Sequence, residues 1–261
     1  MSKKVFLFII LGFIAISCRD HLANKTLPEL LIPNDDAFIG FDYLPTNTTG
    51  AVYKKNTYVL SYSEVHEQAE WVAYVLKASD IKEMDYKRPY FEVDQDILTG
   101  AADWRNYKKS GYNKGHLCPA GDRRASFKDF KETFLTSNIA PQRYDFNAGI
   151  WNRLEQKVRY WAKRQDSIYV ITGGVLTDDL DVIGYESVAV PNYFYKVLLS
   201  KDHKKMIGFL LPHKESNKPL YNYIVPVDSI EVMTGIDFFP ELDDVIEKKL
   251  ESSKTYDNWD F

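Results

Sequence analysis

From residue 145 to 165 the apolar side chains Phe146, Ile150, Trp151, Leu154, Val158, Trp161 and Ala162 fall on one stripe of a helix. The pattern that follows constrains the fold most. Residues 168–172, 187–190, 193–199, 206–211 and 221–225 read as successive strands separated by turn residues. Strands and helices therefore do not alternate in βαβ order, and the expectation is an α+β fold: a central, mainly antiparallel β-sheet flanked by helices. Upstream, residues 58–62 alternate like a strand. Val65, Ala69, Val72, Ala73 and Leu76 recur at helical spacing and predict a helix over 64–76. Residues 87–122 are loop-rich, and short helices are expected near Ser229 and Pro240.

The chain has 261 residues, enough for one sizeable domain with its own core. It begins Met-Ser-Lys-Lys and continues with an apolar run, Val5 to Ile16, that ends at Ser17-Cys18. A membrane-spanning helix needs roughly 17–25 apolar residues, so this shorter run after a positive start reads as an export signal. Ala15-Ile16-Ser17-Cys18 loosely resembles a bacterial lipoprotein cleavage site, in which Cys18 would carry the lipid anchor to the membrane. The expected organisation is a signal over 1–18, a tether and lead-in over 19–56, a single domain over 57–250 and a tail over 251–261. The expected location is the bacterial cell envelope as a lipoprotein, or secretion. Cys118, the only other cysteine, is expected to be a buried thiol.

The formal net charge is −4, yet residues 104–164 hold 14 Lys and Arg against 5 Asp and Glu. A basic stretch in an acidic chain supplies either a phosphate-facing surface or a solvated helical face. Within it lies Gly111-Tyr112-Asn113-Lys114-Gly115-His116-Leu117-Cys118-Pro119-Ala120-Gly121-Asp122. Gly115 there is read as permitting a tight backbone turn. An imidazole with an ordinary pKa of about 6.5 can take a proton from water near neutral pH, although a lone histidine is more often structural. Asn147 and Glu155 lie eight residues apart on the predicted helix, roughly 12 Å along its axis and about 80° around it. An Asn oxygen on Mg²⁺, with a carboxylate holding the ion's waters, would suit a cation that keeps much of its hydration shell. The plain alternative is a helix cap and a surface carboxylate.

Asn113 to Ala120, together with Ser137-Asn138-Ile139-Ala140-Pro141-Gln142 and Phe146-Asn147-Ala148-Gly149-Ile150-Trp151, resembles the DNA/RNA non-specific endonuclease family, whose members carry a ββα-metal, or His-Me finger, site. Weaker likenesses extend over residues 58–240. The resemblance implies His116 as general base, Asn147 as direct metal ligand and Glu155 as holder of the ion's waters. It further implies that Asn138 orients the site and that Arg88 and Lys114 contact substrate phosphate. One Mg²⁺, with Mn²⁺ as the alternative ion, would serve hydrolysis of DNA and RNA to 5′-phosphate ends. Two positions depart from the family's Asp-Arg-Gly-His, namely Asn113 and Lys114. Lysine there offers a point charge in place of a bidentate fork. Two other readings remain at this stage: a phosphodiesterase for another ester, or a catalytically impaired surface lipoprotein that binds nucleic acid or protein.

Overall fold

The computed structural model describes residues 41–261. The proposed export signal, Cys18 and most of the lead-in lie outside these residues. In chain order the strands are β1 (Ala51–Lys54), β2 (Val59–Ser63), β3 (Gln68–Lys77), β4 (Asn113–His116), β5 (Ile139–Gln142), β6 (Ser167–Gly174), β7 (Val182–Ile183), β8 (Val188–Ala189), β9 (Tyr193–Ser200), β10 (Met206–Pro212) and β11 (Ile224–Val225). The helices are α1 (Phe127–Glu132), α2 (Tyr144–Phe146), α3 (Asn152–Gln165), α4 (Val227–Thr234) and α5 (Asp244–Glu251).

Seven strands form one sheet in the order β1-β2-β3-β6-β9-β10-β11, every neighbour antiparallel. The α+β expectation is met. Side chains alternate across this sheet as the pleat requires. Val72, Tyr74 and Leu76 of β3 and Phe194 and Leu198 of β9 meet Trp151, Leu154, Val158 and Trp161 on one face. Trp71 and Ala73, with Tyr195, Val197 and Leu199, meet Val227 and Ile230 of α4 and Phe238 and Phe239 on the other. Burial of Leu154 and Val158 contributes roughly 1.5–3 kcal/mol each, which holds α3 on the sheet. Asp166, with φ 68°, ends α3 in the left-handed region and turns the chain into β6.

Several expectations change. The helix predicted over 64–76 is a tight turn followed by β3. Nearly all of β3 is buried, because the strand is covered on both faces. A strand buried on both sides shows no alternation, so its apolar positions matched a helical spacing by chance. Val65, counted in that stripe, is 81% exposed. The long helix over 145–165 is interrupted by a π-helical segment, Asn147–Trp151, with Gly149 at φ −92°, ψ −109°. The straight-helix offset between Asn147 and Glu155 therefore does not apply. Within 221–225 only β11 is strand, after a 3₁₀ turn at Leu220–Tyr223, and within 187–190 only β8. The last helix begins at Asp244, beyond Pro240.

The domain also reaches past its expected limits. β1 belongs to the lead-in and Thr46 bridges Asp237, while Trp259 of the tail is buried against Trp161. No helix among the described residues is long and apolar enough to cross a membrane.

Candidate active site

β4 and β5 pair antiparallel with Gly115 opposite Ala140 and His116 opposite Ile139, and the π segment and α3 follow directly. Gly115 serves this pairing rather than a turn. A Cβ on it would sit 2.1 Å from Oε1 of Gln142, whose side chain crosses the ladder there. Lys114 and His116 are two apart on β4 and so project from the same face.

That face carries aromatic rings from outside the motif. The His116 ring lies 4.9 Å from Phe134, edge-on, and 5.4 Å from Phe91. The Arg88 guanidinium lies 5.5 Å from the Phe134 centroid and 5.8 Å from that of Phe91. The Lys114 ammonium lies 5.4 Å from Phe91 and 5.7 Å from Tyr107. Three of the residues singled out in the sequence thus share one aromatic platform. Burial, reinforced by the Arg88 charge, holds the His116 imidazole down to about 3 and also lowers Lys114. Nε2 of His116 is shut from solvent without a hydrogen-bond partner. The histidine is therefore neutral at physiological pH, the form able to accept a proton, and an arriving phosphate would offset the Arg88 charge and raise its basicity.

Asn138 is fully buried and acts as a clamp. Its Nδ2 donates to the carbonyls of Cys118 and Thr133, both at 2.9 Å, and its Oδ1 accepts from the Cys118 N–H at 2.8 Å. The Leu117 N–H donates to the Asn138 carbonyl at 2.9 Å. The segment that leaves His116 is therefore tied to the start of β5. Cys118 is a buried free thiol, as expected, its pKa pushed up to about 12 by burial.

Asn147 sits half-exposed at the head of the π segment, and Glu155 lies half-buried in the first turn of α3. Neither side chain hydrogen-bonds another described residue, so both oxygens are available to a ligand. Burial raises the Glu155 carboxyl to about 7, with Lys196 opposing and Asp122 adding to the rise. Lys196 and Arg159 offset that burial only in part, and an amide plus a carboxylate is an oxygen donor set suited to a hard divalent cation. The residues present fit such an ion.

Three neighbours were not singled out. Lys196 projects from the centre of β9 into the α3 face, fully buried, with its ammonium 4.7 Å from the Trp151 ring. Burial presses it down to about 8. Asp122, buried, accepts from Tyr74 Oη at 3.0 Å and from Arg159 at 2.8 Å. A lysine inside the apolar strand run 193–199 was the available signal, since a buried charge implies a nearby partner. Arg159 lies on α3 with Arg153, Lys157, Lys163 and Arg164, the helical part of the basic 104–164 stretch. That part is largely engaged with protein. Arg153 donates to the Lys218 carbonyl, Lys157 lies over Tyr160, Trp161 and Phe261, and Arg164 pairs with Asp260. The other histidines among the described residues are structural. His213 accepts from the Arg143 N–H and bonds the Pro191 carbonyl, His66 bonds Ser63, and His203 packs on Phe41 and Tyr169.

Two antiparallel strands with a histidine on the first, followed by a helix that presents Asn and Glu, constitute the ββα-metal arrangement. The family model for DNA/RNA non-specific endonucleases matches residues 42–245. The chain is 35% identical over 204 residues to the mitochondrial nuclease EXOG of Danio rerio, covering 71% of this chain and 60% of that protein. It is 31% identical to nuclease C1 of Cunninghamella echinulata (81% and 90% covered) and 30% identical to mitochondrial endonuclease G of Homo sapiens (72% and 69%). A crystal structure of an EndoG/EndoGI complex superposes with a TM-score of 0.70 at 34% identity, over 76% of this chain and 89% of that one. The chain belongs to the DNA/RNA non-specific endonuclease family. It spans about 60% of the length of several of the curated relatives it matches.

Proposed function

We propose that this chain is a sugar- and sequence-nonspecific endonuclease that hydrolyses phosphodiester bonds of DNA and RNA and leaves 5′-phosphate ends. The observation that carries the reading is the shared platform: a neutral, half-buried imidazole that shares its aromatic rings with two cationic side chains, on the first strand of the β4–β5 pair that precedes the Asn147–Glu155 segment. His116 takes the proton from the attacking water. Arg88 and Lys114 bind the phosphate oxygens and favour the charge that builds on phosphorus. Asn138 keeps the strand end and the loop after it in register, so the imidazole meets the phosphate in one orientation. Asn147 and Glu155 would hold a divalent ion, Mg²⁺ in the first instance, which when bound supplies electrostatic stabilisation of the phosphate and its leaving oxygen. Contacts to phosphate and sugar carry no direct base information, so cleavage is nonspecific.

The test is a gel assay of the purified chain with duplex DNA and with RNA, each with and without chelator. Both substrates should be degraded and both reactions stopped by chelator. Cleavage undiminished in excess chelator would reject the metal assignment.

Lys114 makes an ammonium contact without the planar, paired hydrogen bonds of arginine, so binding through it is electrostatic. Lys114→Ala should flatten the slope of log affinity against log salt on duplex DNA by about 0.9, one phosphate contact's worth, measured in a His116→Ala background with Ca²⁺. An unchanged slope would remove Lys114 from the substrate surface.

The leader supports export, with Cys18 lipidated at the mature terminus. Mass spectrometry of the mature protein should find the lipid; an unmodified Cys18 on a freely soluble chain would reverse that assignment.

A further inference from the structure

The sheet face opposite the active site carries a second set of oxygen donors that the proposed hydrolysis does not use. Asp228 and Glu231 on α4 and Glu251, the last residue of α5, each offer a carboxylate oxygen, and these oxygens all lie within 4.8 Å of one another. Surface acids often cluster without consequence, but Glu251 is not a surface residue. It is only 7% exposed, and its Oε1 is shut from solvent with no hydrogen-bond partner. Among the described residues no Lys, Arg or His forms an ion pair with any of the three. The one compensating contact is the Phe238 N–H, which donates to Glu231 at 2.9 Å.

Three unfavourable terms therefore coincide at Glu251. It is desolvated, it faces other carboxylates, and it stands at the negative end of a helix dipole. Burial first, then the acids Asp237, Asp228 and Glu247, raise Glu231 to about 7 against the Phe238 N–H; burial, then Glu231 ahead of Glu247, Asp228 and Asp237, raises Glu251 to about 8. A divalent cation among the oxygens would offset all three at once.

We propose that Asp228, Glu231 and Glu251 form a structural divalent-cation site, best matched to Ca²⁺, that ties α4 to α5. An all-carboxylate donor set without His or Cys selects a hard ion. Ca²⁺ binds oxygens at 2.3–2.6 Å, so opposite ligands stand up to about 5.2 Å apart, whereas Mg²⁺ at 2.0–2.1 Å brings them within about 4.2 Å. Mg²⁺ is usually held by one or two carboxylates with several waters, so three protein carboxylates converging within 4.8 Å match the larger ion better. Asp228 is exposed and Glu231 half-exposed, which leaves room for water to complete the coordination sphere. Both helices pack on β10, and the Glu231 contact to Phe238 links the site to the loop between them. The ion would thus fasten the segment 227–251 to the sheet, independently of the catalytic centre.

The experiment is thermal unfolding of the full chain, stripped with chelator and then titrated with Ca²⁺, in an Asn147→Ala background that weakens the active-site ion. Calcium a hundredfold above Kd should raise Tm by roughly 5–10 °C. The rise should vanish when Asp228→Asn is added, an exposed position where folding is not at risk, and equally with Glu251→Gln. Calorimetric titration of the same proteins should show one binding event lost. A Tm that ignores calcium in the Asn147→Ala protein, or a rise that survives Asp228→Asn, overturns the site. Because the readout is stability, the result stands whether or not the chain cleaves nucleic acid. Conversely, Asp228→Asn should leave any Mg²⁺-supported cleavage within about twofold of the parent, the expectation for an exposed substitution away from the active site.

Discussion

His116→Ala should lower turnover on both DNA and RNA by about 10²–10⁴, the usual size for removal of a general base, with the fold retained. The ring makes two aromatic contacts and no hydrogen bond from Nε2, so truncation loses packing with Phe91 and Phe134 but strands no polar partner. A second readout reports the setting of the ring rather than its part in the reaction. Its folded pKa of about 3 lies below the unfolded value of about 6.5, so between those limits the unfolded chain binds the additional proton. Its contribution is present above pH 6.5 and is lost as pH falls toward 3. The parent should therefore lose stability more steeply across that window than His116→Ala. Activity within a few fold of the parent would place the base elsewhere, and identical stability profiles would show that the imidazole is not held in a desolvated, cationic setting.

Asn138→Ala carries the other large effect, and it acts on stability and activity together. Truncation removes two donors and one acceptor and leaves the Cys118 N–H and the carbonyls of Cys118 and Thr133 without partners in a fully buried place. At about 1–3 kcal/mol for each stranded group, partly relieved by local rearrangement, the loss should reach about 3–5 kcal/mol. For a domain of this size that lowers Tm by roughly 10 °C. Below the new Tm, turnover should fall as well, since the loop that leaves His116 is no longer tied to β5. Asn138→Asp keeps the acceptor but sets a carboxylate against two carbonyls, so it should not rescue either property. A Tm within 2 °C of the parent, measured by calorimetry as an order-of-magnitude bound, would show that the clamp holds nothing.

Lys196, Asp122 and Arg159 show where linear reading of the site stopped. The sequence placed the lysine in a strand and the arginine on a basic face, and each position was right. What it could not show was that β9 pairs with β6 so as to bring Lys196 beneath Trp151, or that Arg159 turns away from solvent to meet Asp122, 37 positions earlier. The Phe91–Phe134 platform is similar. Both rings lie outside the motif stretches, and only the path of the chain carries them to His116.

Taken alone, the amino-acid order determined the features that depend on near neighbours. These were the amphipathic stripe of α3, the strands around 58–62, 168–172, 193–199 and 206–211, the antiparallel α+β class, and the ordered segments around His116, Asn138, Asn147 and Glu155. Periodicity reports which side of an element is apolar, and that is settled within a turn or two of chain. Tertiary structure decided the rest. β3 became a strand because two layers cover it, the α3 helix acquired a π segment at Asn147, Trp259 docked from the tail, and Asp228 and Glu231 came to face Glu251. Each of these depends on burial from both sides or on a partner distant in sequence, and neither quantity exists until the sheet has formed.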